Sequence, residues 1–210
     1  MRARMAIAYA NEDTSKGQKV TVELREVSLR EKPPELVSIS PKGTVPVLQL
    51  PNGQVVEESI EIMDWALSQS DVAALGQIQN NEIGQDLIHE NDNEFKRWLD
   101  RYKYADRYPE YTFEHSRDRA ERFLKKLEAL LGRGSYLQGD SLSVIDLAIF
   151  PFVRQFAMVD MQWFEQSEYV LLRKWLEALM TSEKFLSIME KYPLWAAESQ
   201  PITFPKTNAV

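Results

Sequence analysis

Cysteine is absent from the 210 residues of this chain, which excludes disulfide bonds, thiolate metal sites and a cysteine nucleophile within the sequence. Basic residues are in the minority: 25 Lys and Arg against 32 Asp and Glu give a net charge of −7. No Lys/Arg-rich run occurs, so we expect no nucleic-acid partner. No apolar run reaches the ~20 residues that cross a bilayer, and the N-terminus lacks a signal-peptide core. We therefore expect a cytoplasmic protein with no membrane contact.

Long flexible tracts are also missing, since Gly and Pro number only 8 and 10 while 44% of the residues are hydrophobic, as in an ordinary folded protein. A change of pattern near residue 75 divides the chain. Alternating β-branched segments and turn signals precede it, and helical periodicity follows it. We predict a first domain at 1–70, a linker at 71–80 and an all-helical domain at 81–210.

The first part reads as alternating helices and strands. A helix over 2–10 is followed by a strand at 20–26, where apolar and polar residues alternate. A short helical turn follows the loop Lys32-Pro33-Pro34-Glu35. A hairpin is predicted over 45–57 because Asn52-Gly53 suits a tight turn. Ser59 is a suitable N-cap for the next helix.

Helical periodicity in the second part predicts at least five helices. Ser143 and Asp146 have the spacing of a capping box at the start of an almost wholly apolar helix, which is typical of the centre of a bundle. The predicted helices run over 83–102, 119–131, 143–159, 169–180 and 182–192.

Three short motifs carry a resemblance to a known family. They are Ser40-Pro41-Lys42-Gly43-Thr44-Val45-Pro46-Val47-Leu48, then Glu57-Glu58-Ser59, then Ser143-Val144-Ile145-Asp146. Together they resemble the cytosolic glutathione transferase superfamily over nearly the whole chain. Lys32-Pro33 and Arg2-Ala3-Arg4 are most similar to its omega-like bacterial branch. The resemblance implies an α+β thioredoxin-like N-terminal domain, an all-α helical bundle domain, a homodimer and a role in detoxification.

The resemblance also implies a glutathione site in the N-terminal domain. Val45 and Pro46, joined by a cis peptide bond in the family, would pair with the cysteinyl backbone of glutathione. Ser59, at a helix N-terminus, would hold the γ-glutamyl carboxylate, and Glu58 the ammonium. By itself, Glu-Ser before a helix is an N-cap, and the preceding Val-Pro is what favours a binding role.

Three further residues are placed by the resemblance alone. Lys32 would face the glycyl carboxylate of glutathione, with Leu29 beside the peptide, and Arg2 would lie near the thiol end. Glutathione would be the substrate, and no metal is expected. A small hydrophobic or disulfide co-substrate would bind against the helical domain.

One departure from the family concerns the beginning of the chain. Members of this branch start with a strand and a cysteine turn, whereas this sequence begins inside the helix that follows them. The first strand is thus absent, and it would lie between the strands at 20–26 and 47–50. Each backbone group left buried without a partner costs about 1–3 kcal/mol, so we expect a destabilised first domain, and the catalytic residue is unknown.

Two functions remain open at this point. The first is a glutathione transferase or glutathione-dependent thiol transferase, in which a residue upstream of Met1 supplies the reactive thiol. The second is a non-catalytic binding or scaffold protein with the same fold, which the lack of cysteine favours if Met1 is the true start; a truncated, non-functional product is a third possibility. Enzyme activity is therefore uncertain from the sequence.

Overall fold

The computed structural model describes residues 1–11, 19–69 and 75–206, so part of the predicted linker at 71–80 lies outside the described residues. The chain divides into two compact units. The first joins 1–72 with 183–210, and the second spans 73–182. This division differs from the predicted boundaries because the segment from Glu183 onward belongs with the N-terminal residues.

The N-terminal unit combines short strands with helices. Its elements are α1 (Arg2–Tyr9), β1 (Val22–Glu23), α2 (Pro34–Ile39), β2 (Leu48–Gln49), β3 (Val55–Val56), α3 (Ser59–Ser68), α10 (Glu183–Ile188) and β4 (Thr203–Phe204). Helix α1 packs against α3 and α10. Met5 and Ala6 of α1 are fully buried, as are Met63 and Ala66 of α3. The interior of this unit is therefore largely helical.

Among the described residues, the strands form two antiparallel ladders. In the first, β2 pairs with β3 and Leu48 lies opposite Val56, which confirms the predicted hairpin. Gly53 has a φ of +87° in its turn, a conformation that favours glycine. In the second, β1 pairs with β4, and Val22 lies opposite Phe204.

Strand β4 was not predicted, and it changes the environment of β1. The Leu24 amide donates to the Ile202 carbonyl oxygen at 2.7 Å, and the Trp195 amide donates to the Glu26 carbonyl oxygen at 2.7 Å. The predicted alternation along β1 is present, since Val22 and Leu24 are half-buried while the intervening residues are exposed. The C-terminal segment thus supplies backbone partners to β1.

The second unit is all helical. Its helices are α4 (Glu82–Glu90), α5 (Lys96–Lys103), α6 (Phe113–Leu131), α7 (Val144–Ala157), α8 (Met161–Gln166) and α9 (Val170–Met180). A π-helical turn, Asn91–Phe95, joins α4 to α5, so the predicted helix over 83–102 is one helical stretch with a widened turn. Apolar residues along all of α7 are buried, as its composition predicts.

Two predicted helices have other bounds in the structure, and one helix was not predicted. Helix α6 begins at Phe113 rather than near residue 119, and the Thr112 hydroxyl caps it by accepting the His115 amide at 3.1 Å. Helix α8 was missed; the Asp160 carboxylate caps it by accepting the Trp163 amide at 3.0 Å. Helix α10 ends at Ile188, before the predicted Tyr192.

The predicted capping box of α7 is confirmed and has a further role. The Asp146 carboxylate accepts the Ser143 amide at 2.9 Å and the Ser143 hydroxyl at 2.5 Å. It also accepts the Leu137 amide at 2.9 Å and the Trp175 indole N–H at 2.8 Å. Burial raises the pKa of Asp146, and these hydrogen bonds oppose that rise. One carboxylate therefore joins α7, the turn before it and α9.

Candidate glutathione site

The beginning of α3 brings together two of the residues proposed from the sequence. Helix α3 starts at Ser59, and Glu58 rather than Ser59 occupies the N-cap position, without a side-chain capping bond. The Arg2 guanidinium, only 5% exposed, donates through Nη1 to Ser59 Oγ at 3.5 Å. The first amides of a helix lack intrahelical partners and attract anions. A buried guanidinium, a hydroxyl and a helix N-terminus thus meet here.

A second group of charges lies beside this point, at the end of the β3 segment. Lys42 Nζ lies 3.3 Å from Glu58 Oε1 and 3.8 Å from Glu57 Oε2. The hydrogen bond to Glu58 raises the pKa of Lys42. The Ser40 hydroxyl donates to Glu57 Oε1 at 2.5 Å. The side chains of Glu58 and Lys42 are 66% and 58% exposed, so this ion pair lies at the surface.

The third part of the candidate site is the loop that leads into β2. The Val45–Pro46 peptide bond is cis, as the resemblance implies, and Val45 is 45% exposed. Among the described residues, no backbone group forms a hydrogen bond with the Val45 amide or carbonyl. Both groups are therefore available to an extended peptide.

Lys32 lies over the glycine two residues before Val45. A Cβ built on Gly43 would lie 3.2 Å from Lys32 Cδ and 3.3 Å from Lys32 Nζ, and the φ of Gly43 is +58°. Within the described part of the chain, Lys32 forms no ion pair or hydrogen bond with another residue. Glycine at this position permits the close approach of the lysine stem to the loop.

Leu29 is 59% exposed. The structure thus joins Arg2 to Ser59, and it places Lys32 beside the loop that contains Val45 and Pro46. Lys42 was missed as a partner of Glu58. Its position two residues after Ser40, inside the motif Ser40-Pro41-Lys42-Gly43, was the available signal.

Two other kinds of site were sought among the described residues. None of them forms a cluster of three or more His, Asp or Glu side chains that could hold a metal ion. Within the same residues, no helix combines the length and apolar character that crossing a membrane requires.

Comparison with solved structures identifies the fold. A bacterial glutathione S-transferase, BphK, solved as a ternary complex, has a TM-score of 0.70 and 21% identity, with 89% of this chain and 91% of that chain covered. A glutathione transferase of Phanerochaete chrysosporium, solved with oxidized glutathione, has a TM-score of 0.68 and 16% identity, with coverages of 89% and 88%. A sphingomonad glutathione S-transferase complexed with glutathione has a TM-score of 0.67 and 16% identity, with coverages of 89% and 90%.

Sequence comparison assigns the family. No curated protein matches the chain. The family model for the glutathione S-transferase N-terminal domain matches residues 1–69, and the model for the glutathione S-transferase C-terminal domain matches residues 98–178. The predicted order of a thioredoxin-like α+β domain and a helical domain is therefore confirmed. The chain belongs to the cytosolic glutathione transferase superfamily.

Proposed function

We propose that this chain binds glutathione in its N-terminal unit and acts as a glutathione transferase or glutathione-dependent thiol transferase. The observation that carries the proposal is the meeting of Arg2, Ser59 and the N-terminus of α3, beside an exposed Glu58. An α-amino acid group presents a carboxylate next to an ammonium. The cationic helix end suits the carboxylate, and Glu58 suits the ammonium.

The remaining contacts follow from the geometry of a tripeptide. The Val45 amide and carbonyl would pair with the cysteinyl backbone of glutathione, and Lys32 would meet the glycyl carboxylate. Pro46 and Leu29 would lie against the peptide without polar contacts. We place Arg2 with the γ-glutamyl carboxylate rather than near the thiol, because its guanidinium contacts Ser59.

The chemistry proposed is attack by the glutathione sulfur on a small hydrophobic electrophile or a disulfide. With an aryl chloride, a carbon–sulfur bond forms, the carbon–chlorine bond breaks, and chloride and the thiol proton leave. With a disulfide, glutathione forms a mixed disulfide and one thiolate departs. The 210 residues contain no cysteine, so the sulfur that reacts in both steps is that of glutathione.

Retention on immobilised glutathione tests the binding site. Ser59→Ala should weaken retention substantially, because the hydroxyl and its place in the Arg2 contact are lost. Ser68→Ala is the matched control, since Ser68 is an exposed serine at the other end of the same helix. Equal retention of the two variants would contradict the assignment of Ser59.

The proposed replacement of Lys42 by the ligand ammonium at Glu58 gives a second test of the same site. Lys42→Ala should not weaken glutathione binding, because the ligand ammonium takes the place of Lys42, whereas Glu58→Gln should weaken it. Calorimetric titration with glutathione measures both. A loss of binding in Lys42→Ala would place Lys42 itself among the ligand-binding residues.

A non-catalytic binding or scaffold protein is the second candidate, which the lack of cysteine in the 210 residues favours if Met1 is the true start. Turnover of a chlorodinitrobenzene and of hydroxyethyl disulfide with glutathione separates the two. The transferase proposal requires turnover of at least one of them by the endogenous protein, whose intact mass shows where translation starts. Glutathione binding without turnover of either reagent supports the scaffold.

Assembly and subtype are further expectations. We expect a homodimer, which sedimentation analysis would test, and a monomer at micromolar concentration would contradict it. The subtype has a separate test. An omega-like enzyme would favour the disulfide reagent over the aryl chloride, and the reverse preference would exclude that subtype. A detoxification role follows only if a hydrophobic electrophile is turned over.

A further inference from the structure

The proposed glutathione site takes its residues from two separate stretches of the N-terminal unit. Lys32 lies before α2, and Val45 and Pro46 lie after it. Glu58 and Ser59 lie where the β3 segment passes into α3. A tripeptide that contacts both stretches binds more tightly when their spacing is fixed in advance, because ordering a loop on binding costs free energy. The spacing of the two stretches is therefore part of the site.

Helix α2, which lies within the first stretch, has little apolar contact with the rest of the unit. It has six residues, none of which is buried, and its Val37 side chain is 43% exposed. The next residue, Ser40, is fully buried. The buried residue at this end of α2 is thus polar, and its hydrogen bonds decide how the helix end is held.

Each polar group of Ser40 has a hydrogen-bond partner. Its amide donates to the Leu36 carbonyl oxygen at 2.9 Å, and its carbonyl oxygen accepts the Gly43 amide at 2.8 Å. Its hydroxyl donates to Glu57 Oε1 at 2.5 Å. The first two bonds fix the end of α2 and the turn after it. The third joins residues 17 positions apart in the chain, and it connects the first stretch to the second.

Glu57 is the acceptor of this bond in the second stretch. It directly follows β3 and lies two residues before Ser59. Its side chain is 29% exposed, and its other oxygen, Oε2, lies 3.8 Å from Lys42 Nζ. Hydrogen bonds to a carboxylate are shorter and stronger than those between neutral groups. The bond from Ser40 therefore constrains the loop that contains Val45 relative to the start of α3.

The same turn supports Lys32. A Cβ built on Gly43 would lie 3.2 Å from Lys32 Cδ, so the lysine stem lies close to the glycine backbone. The Gly43 amide in turn donates to the Ser40 carbonyl oxygen. A displacement of Ser40 should therefore disturb the surroundings of Lys32 as well as those of Val45.

We propose that Ser40 and Glu57 are positioning residues for glutathione, and that their hydrogen bond sets the distance between the residues for its glycyl end and those for its γ-glutamyl end. The inference rests on the proposed function, because glutathione is the ligand that spans the two stretches. Neither residue contacts the ligand in this proposal. Loss of the bond should weaken a ligand that spans both stretches more than a ligand that contacts only one.

NMR titration of the full chain with glutathione and with cysteinylglycine tests the proposal. Cysteinylglycine lacks the γ-glutamyl end, so it would contact Lys32 and Val45 only. Ser40→Ala should weaken glutathione binding about tenfold, the range expected for one charge-assisted hydrogen bond, and its effect on cysteinylglycine should be clearly smaller. A variant that only lowered the folded fraction would weaken both ligands by the same factor.

Variants at a neighbouring serine and at the acceptor make the test specific. Ser38→Ala is the matched control, because Ser38 is an exposed serine of α2 whose hydroxyl donates to the Glu35 carbonyl oxygen of the same helix. It should bind glutathione as the wild-type chain does. Glu57→Gln keeps an acceptor oxygen for the Ser40 hydroxyl and should bind glutathione more tightly than Glu57→Ala, which removes it. Thermal melts show that each variant is folded.

Equal glutathione affinity in Ser40→Ala and Ser38→Ala would overturn this inference and leave the proposed function standing. Equal losses for glutathione and cysteinylglycine in Ser40→Ala would do the same, and so would equal weakening in Glu57→Gln and Glu57→Ala. A wild-type chain that does not bind glutathione would overturn the proposed function, and this inference with it.

Discussion

The helical unit and the N-terminal unit satisfy their buried polar groups in different ways. In the helical unit, Asp146 collects four hydrogen bonds from Leu137, Ser143 and Trp175 around one fully buried carboxylate. In the N-terminal unit, strand β1 has only two residues and pairs with β4, about 180 residues later in the chain. In the helical unit one side chain thus joins three segments, whereas in the N-terminal unit a distant backbone segment pairs with the strand.

This difference predicts which substitutions should destabilise each unit. The helices satisfy their own backbone groups, so the helical unit needs few distant contacts apart from apolar packing. A strand has no such internal ladder, and β1 depends on whatever chain lies beside it. Changes to one side chain should therefore be most severe in the helical unit, and changes to the C-terminal segment should act on the N-terminal unit.

The largest effect is expected from Asp146→Ala. This change leaves the Leu137 amide, the Ser143 amide and the Trp175 indole N–H without their acceptor, and each buried unsatisfied donor costs about 1–3 kcal/mol. The free energy of unfolding should fall by about 4 kcal/mol or more, measured by urea denaturation. Asp140→Ala is the control, because Asp140 is exposed in the preceding turn. Similar losses in both variants would contradict the role given to Asp146.

Phe204→Ala tests the dependence of β1 on the C-terminal segment. Phe204 is 2% exposed and lies opposite Val22, so its truncation should cost about 3 kcal/mol. Hydrogen exchange should accelerate at the Leu24 amide, which donates to Ile202. Thr203→Ala is the control on the exposed face of the same strand, and equally fast exchange at Leu24 in both variants would argue against this pairing.

A smaller effect is expected from the aromatic and basic cluster of the helical unit. The Arg101 guanidinium lies 5.4 Å from the ring centroid of Trp98, 4.9 Å from that of Tyr108 and 5.5 Å from that of Tyr111. Arg101→Met should cost about 1 kcal/mol, measured as the change in free energy of unfolding. Arg133→Met, at an exposed arginine after α6, should cost less, and an equal cost would remove the cation–π explanation.

The last prediction concerns the slope of stability with pH. Burial raises the pKa of Asp146 in the folded chain, so the folded state binds more protons than the unfolded state between the two pKa values. The stabilisation that comes from protonation of Asp146 should be fully present below its unfolded pKa, about 3.9, and should be lost as the pH rises through the folded pKa; the hydrogen bonds that Asp146 accepts are a separate contribution. Denaturation midpoints measured between the two pKa values should fall with rising pH in the wild-type chain. The same change with pH should be absent in Asp146→Asn. A slope that persists in Asp146→Asn would assign it to other groups.

Local sequence patterns were sufficient to predict much of the secondary structure. The hairpin was predictable because Asn52-Gly53 and the flanking alternation are neighbours in sequence, and the capping box because Ser143 and Asp146 are three residues apart. The start of α6 was also within reach, since Thr112 is a good N-cap. It was missed because the aromatic residues before 113 obscured the helical period.

Distant contacts were not predictable in the same way. Trp175 lies 29 residues from Asp146 along the chain, and no local rule pairs an indole with that carboxylate. Strand β4 has two residues and lies in a Pro-containing tail, so its pattern carries no strand signal. At the candidate site, the Arg2–Ser59 contact and the Lys42–Glu58 pair join residues that are far apart in sequence.

The sequence by itself determined the family, the order of an α+β part and a helical part, and the residue types offered to glutathione, because these depend on short motifs and periodicity. Only the tertiary structure decided that Arg2 contacts Ser59, that Asp146 serves three segments, and that the C-terminal tail pairs with β1. Those contacts depend on how the chain closes over long loops, and the free energy that selects them comes from burial and from hydrogen bonds between distant residues.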